Sequence, residues 1–143
     1  MEISITTDIC CKPEEVFLWI NDPDQAMRWQ KGVKSVEIIN ETPDKIDTTF
    51  KEVMEENGKS LEMYGKVIDY VPNELISFQL ESKIYKVHLT YSVKSEAENS
   101  IVLIESTINW KLPMSIICLF IGPRTDKCCN QRIDCFHYNL INS

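Results

Sequence analysis

Few side chains in this 143-residue sequence are of types that do chemistry, and the thiols come first. Its six cysteines stand at Cys10, Cys11, Cys118, Cys128, Cys129 and Cys135. No CxxC pair exists, and the two histidines, His88 and His137, are not at zinc-finger distances from them. On a helix, Cys128 and Cys135 would lie about 10 Å apart along the axis, too far to bridge. These spacings fit reduced thiols acting as small buried hydrophobes; the alternative is a reactive or metal-binding thiol pair at Cys128-Cys129. GxSxG, HExxH and phosphate-loop patterns are absent, so no catalytic residue, metal or cofactor is assigned.

What remains is one carboxyl and two phenols. Glu52 shares its strand parity with Phe50 and would face inward, where a carboxyl held among apolar groups can give or take a proton. The alternative places it at the sheet rim, in water or paired with a lysine. Tyr85 and Tyr91 put two hydroxyls on one strand face, able to hydrogen-bond a guest oxygen. His88 alternates with that face and points to solvent; His137 flanks a helical stripe and suits a surface role.

The elements that position these groups follow from period and punctuation. Ile3, Ile5 and Thr7 alternate with Ser4 and Thr6, giving a first strand that ends near Ile9. Pro13 with Glu14 and Glu15 starts a helix, its acids complementing the positive end of the dipole. Asn21-Asp22-Pro23 breaks it and begins a second helix, with Asp22 as N-cap and Gly32 as its stop.

Strands then follow at Val33 to Asn40, Lys45 to Glu55, Ser60 to Tyr70, Leu75 to Ser82, Tyr85 to Val93 and Ser100 to Trp110. Asn57-Gly58 marks a hairpin. All the connections among these strands are short, which predicts an antiparallel meander. From Asp126, Cys129, Ile133, Phe136 and Leu140 recur at steps of four, three and four, the stripe of an amphipathic helix. The prediction is α+β: one curved seven-stranded antiparallel sheet gripping a long C-terminal helix, with two short helices between strands 1 and 2. Room for a ligand lies between sheet and helix.

Size and charge bound the rest. Residues 1–143 read as a single domain large enough for a core with a cavity beside it. A hydrophobic fraction of 43% and a charged fraction of 26% are ordinary for a globular protein. A net charge of −7 without clustered Lys or Arg argues against nucleic acid and anionic membranes as partners. The start, Met1-Glu2-Ile3-Ser4, lacks a basic region followed by an apolar one, so cytoplasmic location is expected. Leu112 to Gly122 is too short for an integral membrane segment.

The order of elements, with Pro13-Glu14-Glu15-Val16-Phe17, Asn21-Asp22-Pro23, Arg28-Trp29, Gly32-Val33, Phe50-Lys51-Glu52 and Gly65-Lys66-Val67-Ile68-Asp69-Tyr70-Val71-Pro72, resembles the START/Bet v 1-like (SRPBCC) superfamily. Within it, the polyketide cyclase/dehydrase and lipid-transport group is the nearest likeness, and it spans nearly the whole chain. The resemblance implies a helix-grip fold with a pocket between concave sheet and terminal helix.

Strand parity then assigns Phe50, Met54, Ile76, Phe78, Leu80, Tyr85, Val87, Leu89 and Tyr91 inward, with Val102, Ile104, Ser106, Ile108 and Trp110 from the last strand. Met63 and Val67 join them, or Tyr64 if the Gly58 hairpin slips by one residue. From these the expected ligand contacts are Phe50, Glu52, Met54, Met63, Phe78, Leu80, Tyr85, Leu89, Tyr91, Ile104 and Ser106, with Ile133 and Phe136 on the helix. The expected function is binding of a small hydrophobic molecule, lipid-like or polycyclic, by a monomer or homodimer. Two alternatives stand beside it. One is a polyketide cyclase/dehydratase-type enzyme. The other is a ligand-free domain that dimerises through its apolar segment Met114 to Phe120, the inward residues then simply filling a core.

Overall fold

The computed structural model describes residues 2–30, 32–56 and 58–111. Chain order is β1 (Glu2–Ile9), α1 (Pro13–Asn21), α2 (Pro23–Trp29), β2 (Val33–Asn40), β3 (Thr49–Glu56), β4 (Lys59–Val71), β5 (Leu75–Glu81), β6 (Tyr85–Glu96) and β7 (Asn99–Trp110). The seven strands form one curved antiparallel sheet in the order β1-β7-β6-β5-β4-β3-β2. The meander runs from β2 to β7, and β1 pairs with β7 in unbroken register from Glu2↔Thr107 to Ile9↔Ser100. The helix expected over Asp126 to Leu140, with Ile133 and Phe136, lies outside the described residues, as do the segment Met114 to Phe120, His137 and the four cysteines from Cys118 onward.

Because β1 and β2 sit on opposite edges, the α1–α2 pair must carry the chain across the sheet, and it does so over the inward face. Pro13 sits in the first turn of α1, and Glu15 and Val16 N–H groups both reach the Lys12 carbonyl at 3.1 Å. Val16, Phe17 and Ile20 are its buried residues, and the Phe17 ring meets Tyr70 edge-on with centroids 5.7 Å apart. Asp22 caps α2: its Oδ1 accepts from the Asp24 N–H at 2.9 Å, with Pro23 at the first helical position. Gly32, at φ 87°, turns the chain into β2, and its carbonyl accepts from the Glu55 N–H at 2.7 Å. The exit of the helical pair is thereby tied to β3.

Two expectations about strand limits need correction. The third strand was expected from Lys45 but begins at Thr49. Residues 42–48 are folded on themselves instead: Thr42 Oγ1 donates to the Ile46 carbonyl at 2.6 Å, and the Thr42 N–H donates to Thr48 Oγ1 at 3.1 Å. Threonine side chains here out-compete the ladder for backbone partners. Lys45 and Asp47 take left-handed φ values of 69° and 67°, which no strand accommodates. The loop expected at Lys94 to Asn99 is also shorter. β6 and β7 pair out to Glu96↔Asn99, and Ala97 turns at φ 55°.

β4 carries a feature that strict alternation does not foresee. Its register with β5 shifts between Val67 and Asp69, so Val67 faces Phe78 while Tyr70, not Asp69, faces Ile76. A bulge of this kind bends the strand and swaps parity beyond it. Met63 (1% exposed) and Val67 (5%) lie inward, and Tyr64 is outward at 54%. The alternative register with Tyr64 inside is therefore excluded.

Candidate functional site

The register lines up side chains of the inward face in rows across the sheet. One row runs Ile38, Phe50, Gly65, Leu80, Val87, Ile108. Beside it lies Val67, Phe78, Leu89, Ser106, and on the other flank Val36, Glu52, Met63. In the first row the glycine decides the shape. A Cβ added to Gly65 would collide with the Phe50 ring, so the ring occupies the place of the missing side chain. Phe50 can thus lie down over β4 instead of standing into the space above it. Phe78 meets it edge-on at 5.8 Å between centroids, and Tyr91 continues the series at 6.3 Å from Phe78. Such edge-to-face pairs hold a wall of rings in fixed orientation.

Between this wall and the α1–α2 pair is a cavity of about 290 Å³. Its floor is Phe50, Val67, Ile76, Phe78, Leu80, Leu89 and Tyr91; Ile20, Asn21, Pro23, Ala26 and Gln30 form the roof. Val36 and Ile38 of the edge strand close one side, and Glu41, Lys45 and Thr48 of the folded loop close another. Glu52 also lines it and is only 4% exposed, so the rim position considered for it from sequence does not hold. Lys45 Nζ is ion-paired with Glu41, four residues earlier, at the loop end of the cavity.

Of the residues expected to meet a ligand, the cavity brings together Phe50, Glu52, Phe78, Leu80, Leu89 and Tyr91. Met54, Met63, Tyr85, Ile104 and Ser106 do not line it. Met63 and Ile104 are sealed in the core, Ser106 is buried and Met54 half-buried, while Tyr85 packs its ring edge-on against Trp110 at 5.3 Å. The roof and the 41–48 loop were missed, since parity along strands says nothing about what folds over them. A signal did exist: Asn21-Asp22-Pro23 sets the bend between the two helices and so the position of the roof.

Elsewhere the chemistry-bearing groups are ordinary. His88 is exposed on the outer face, its Nε2 2.8 Å from Ser77 Oγ, which also lies 2.9 Å from Thr90 Oγ1. Cys10 is exposed and Cys11 half-buried, both as free thiols. Among the described residues no group of three His, Cys, Asp or Glu is arranged to hold a metal ion. No helix among them is long and apolar enough to cross a membrane. On the outer side of the sheet, a hydrogen bond from Lys111 and then its charge lower the Glu81 pKa; a hydrogen bond to Glu62 and then its charge raise that of Lys51.

The curved seven-stranded antiparallel sheet, with two short helices between β1 and β2, matches the helix-grip fold of START/Bet v 1-like proteins. Residues 1–123 match the family described as polyketide cyclase / dehydrase and lipid transport, and the chain belongs to that family. Among solved structures it is similar to a START superfamily protein from Mycobacterium smegmatis, with 17% identity over 99% of this chain and 94% of that one, at a TM-score of 0.77. The Zhui aromatase/cyclase from Streptomyces sp. R1128 is similar at 10% identity, 98% and 93% coverage and a TM-score of 0.77. TTHA0849 from Thermus thermophilus follows at 15% identity, 99% and 98% coverage and a TM-score of 0.74. At these identities the likeness is one of fold. No curated protein sequence matches.

Proposed function

We propose that the protein binds a small apolar molecule, polycyclic or lipid-like, in the cavity between the sheet and the α1–α2 roof. The observation that carries this reading is the cavity of about 290 Å³ walled by Phe50, Phe78 and Tyr91. At about 30 Å³ per water it would hold on the order of ten waters, and a largely apolar wall solvates them poorly. An apolar guest replaces them at a gain of roughly 25 cal/mol per Å² of surface it removes from water. Membership of a family that includes lipid transport points the same way. The test is fluorescence titration with 1-aminoanthracene, a neutral ring compound of matching size. Saturable binding by the wild type, weakened at least tenfold in Ala26→Phe with an unchanged circular dichroism spectrum, supports the site. Absence of saturable binding by the wild type would sink it.

One observation favours a second reading, an enzyme of the cyclase/dehydratase type. Glu52 stands buried in the wall of that cavity, where a carboxyl can exchange a proton with a bound polyketone. Glu52→Gln would then abolish turnover of a supplied polyketone while leaving its binding in place. Unchanged turnover in that variant excludes Glu52 as the proton carrier.

A further inference from the structure

The side chain that Gly65 lacks fixes the attitude of the ring opposite it. A Cβ built on Gly65 would run into Cζ, Cε2 and Cε1 of Phe50 together, at closely similar distances. An approach along the ring edge would strike Cζ first and leave both Cε carbons well behind. The glycine therefore meets the face of the ring, and Phe50, its partner across the β3–β4 ladder, lies flat on β4. One face is covered by the Gly65 backbone; the other is turned toward the cavity that Phe50 lines. Phe78 comes from β5 opposite Val67, two residues beyond Gly65 on β4. Its ring is set at 88° to that of Phe50, and Tyr91 stands at 78° to Phe78 in turn. The wall is thus a corner, one ring forming a flat shelf and the next upright beside it. To the same cavity the roof supplies Pro23 and Ala26, whose short side chains leave a gap.

We infer that the guest is a flat aromatic compound whose ring stacks on the open face of Phe50 with its rim toward Phe78, and that acyl chains and saturated ring systems are the weaker guests. This rests on the binding reading above and chooses between its two ligand classes. A guest parallel to Phe50 is perpendicular to Phe78, since those two rings cross at 88°. It gains an offset stack on the first and an edge-to-face contact with the second, the two arrangements that ring quadrupoles favour. Each contact raises affinity roughly two- to tenfold beyond the surface it buries. A saturated skeleton has no such quadrupole, and its puckered rings are too thick to lie close on a shelf. Burial alone predicts the opposite order, because a saturated skeleton of equal carbon number carries more apolar surface. Phe50 is then the specificity-determining residue, and Gly65 the positioning residue that lays it flat.

The experiment compares 2-naphthol, decahydro-2-naphthol and 1-decanol, alike in carbon number and each with one hydroxyl, titrated into the whole chain by calorimetry at pH 7. The expected result is 2-naphthol tightest, by at least threefold over either saturated alcohol. In Phe50→Leu, which keeps an apolar side chain and loses the ring face, that lead disappears. Bound to the wild type, the 2-naphthol protons move upfield in NMR, as protons above a ring face do, with cross-relaxation to the Phe50 ring. Should a saturated alcohol bind as tightly as 2-naphthol, or the lead survive in a folded Phe50→Leu, the stacking shelf is wrong while cavity binding stands. If none of the three binds, cavity binding itself fails and the inference with it. Where the variant does not fold, the wild-type spectra decide: guest protons that do not move upfield overturn the shelf.

Discussion

The two ends of the sheet face the same helices but are filled differently. Toward β7 and β1, under α1, side chains close completely: Val16, Val102 and Ser100 are 0% exposed, and Ile108 and Ile104 only 1–2%. Ser100 Oγ donates to the Cys11 carbonyl at 2.6 Å, pinning the β1–α1 connection to the head of β7. Toward β2, β3 and β4, under α2, the rings stand apart around empty volume, and the edge strand β2 leaves Ile38 and Ile39 largely exposed. One end is a core and the other a container. The difference comes from side-chain shape: β-branched residues interdigitate at the first end, while Gly65 and the recumbent Phe50 hold space open at the second.

The largest effects should separate the two ends. Ile104→Ala at the closed end removes atoms that no neighbour can replace and is expected to cost about 3–4 kcal/mol in urea denaturation. Phe78→Ala removes more carbon, yet its ring already borders the cavity. It is expected to cost about 2 kcal/mol, below the usual range for a buried phenylalanine. If Phe78→Ala cost as much as Ile104→Ala, the container end would be packed like a core and the contrast would disappear.

Gly65→Ala sharpens the same contrast. The new methyl meets the Phe50 ring at a distance no packing tolerates, so the ring must rise into the cavity. A loss of about 1–3 kcal/mol is expected from the forced rearrangement, together with weaker binding of 1-aminoanthracene. Retained affinity would mean that Phe50 moves elsewhere and does not set the volume. Smaller again is Thr42→Val, which removes the hydroxyl bonded to the Ile46 carbonyl at 2.6 Å. About 1 kcal/mol is expected, with faster amide exchange confined to residues 42–48.

The closed end was largely legible from sequence, and the container only in part. Tyr85, Val87, Leu89 and Tyr91, which lead from the closed end into the cavity wall, alternate without interruption, and a two-residue period assigns their faces directly. Glu52 and Phe50 were likewise placed by parity alone. Residues 45–48 were read as strand because Lys45 to Phe50 contains no glycine or proline, and the local hydrogen bonds of Thr42 and Thr48 that fold them leave no periodic mark. The bulge at Val67 left no mark except that Met63, Val67 and Tyr70 cannot share one face of a regular strand. The roof over the cavity depends on how α1 and α2 cross the sheet, which follows from β1 pairing with β7, a contact between the two ends of the described chain.

The smallest expected effect lies at the closed end and concerns charge. Lys111 Nζ donates to Glu81 at 2.5 Å and to the Ser82 carbonyl at 2.9 Å, fastening the end of β7 to β5. The hydrogen bond and the nearby ammonium hold the Glu81 carboxyl below its ordinary pKa. A carboxyl whose folded pKa is lowered contributes stability that is fully present above its unfolded value and fades as pH falls through the lowered one. Both groups face solvent, so the contribution is modest and screened by salt. Lys111→Met should therefore flatten the acid limb of stability against pH and raise the Glu81 titration midpoint seen by carboxyl NMR. The Ser82 bond is lost in the variant at every pH, so it shifts the whole curve and leaves the slope to report the ion pair. An unchanged acid slope would show that the pair adds nothing to the closed end, whose stability would then rest on packing alone.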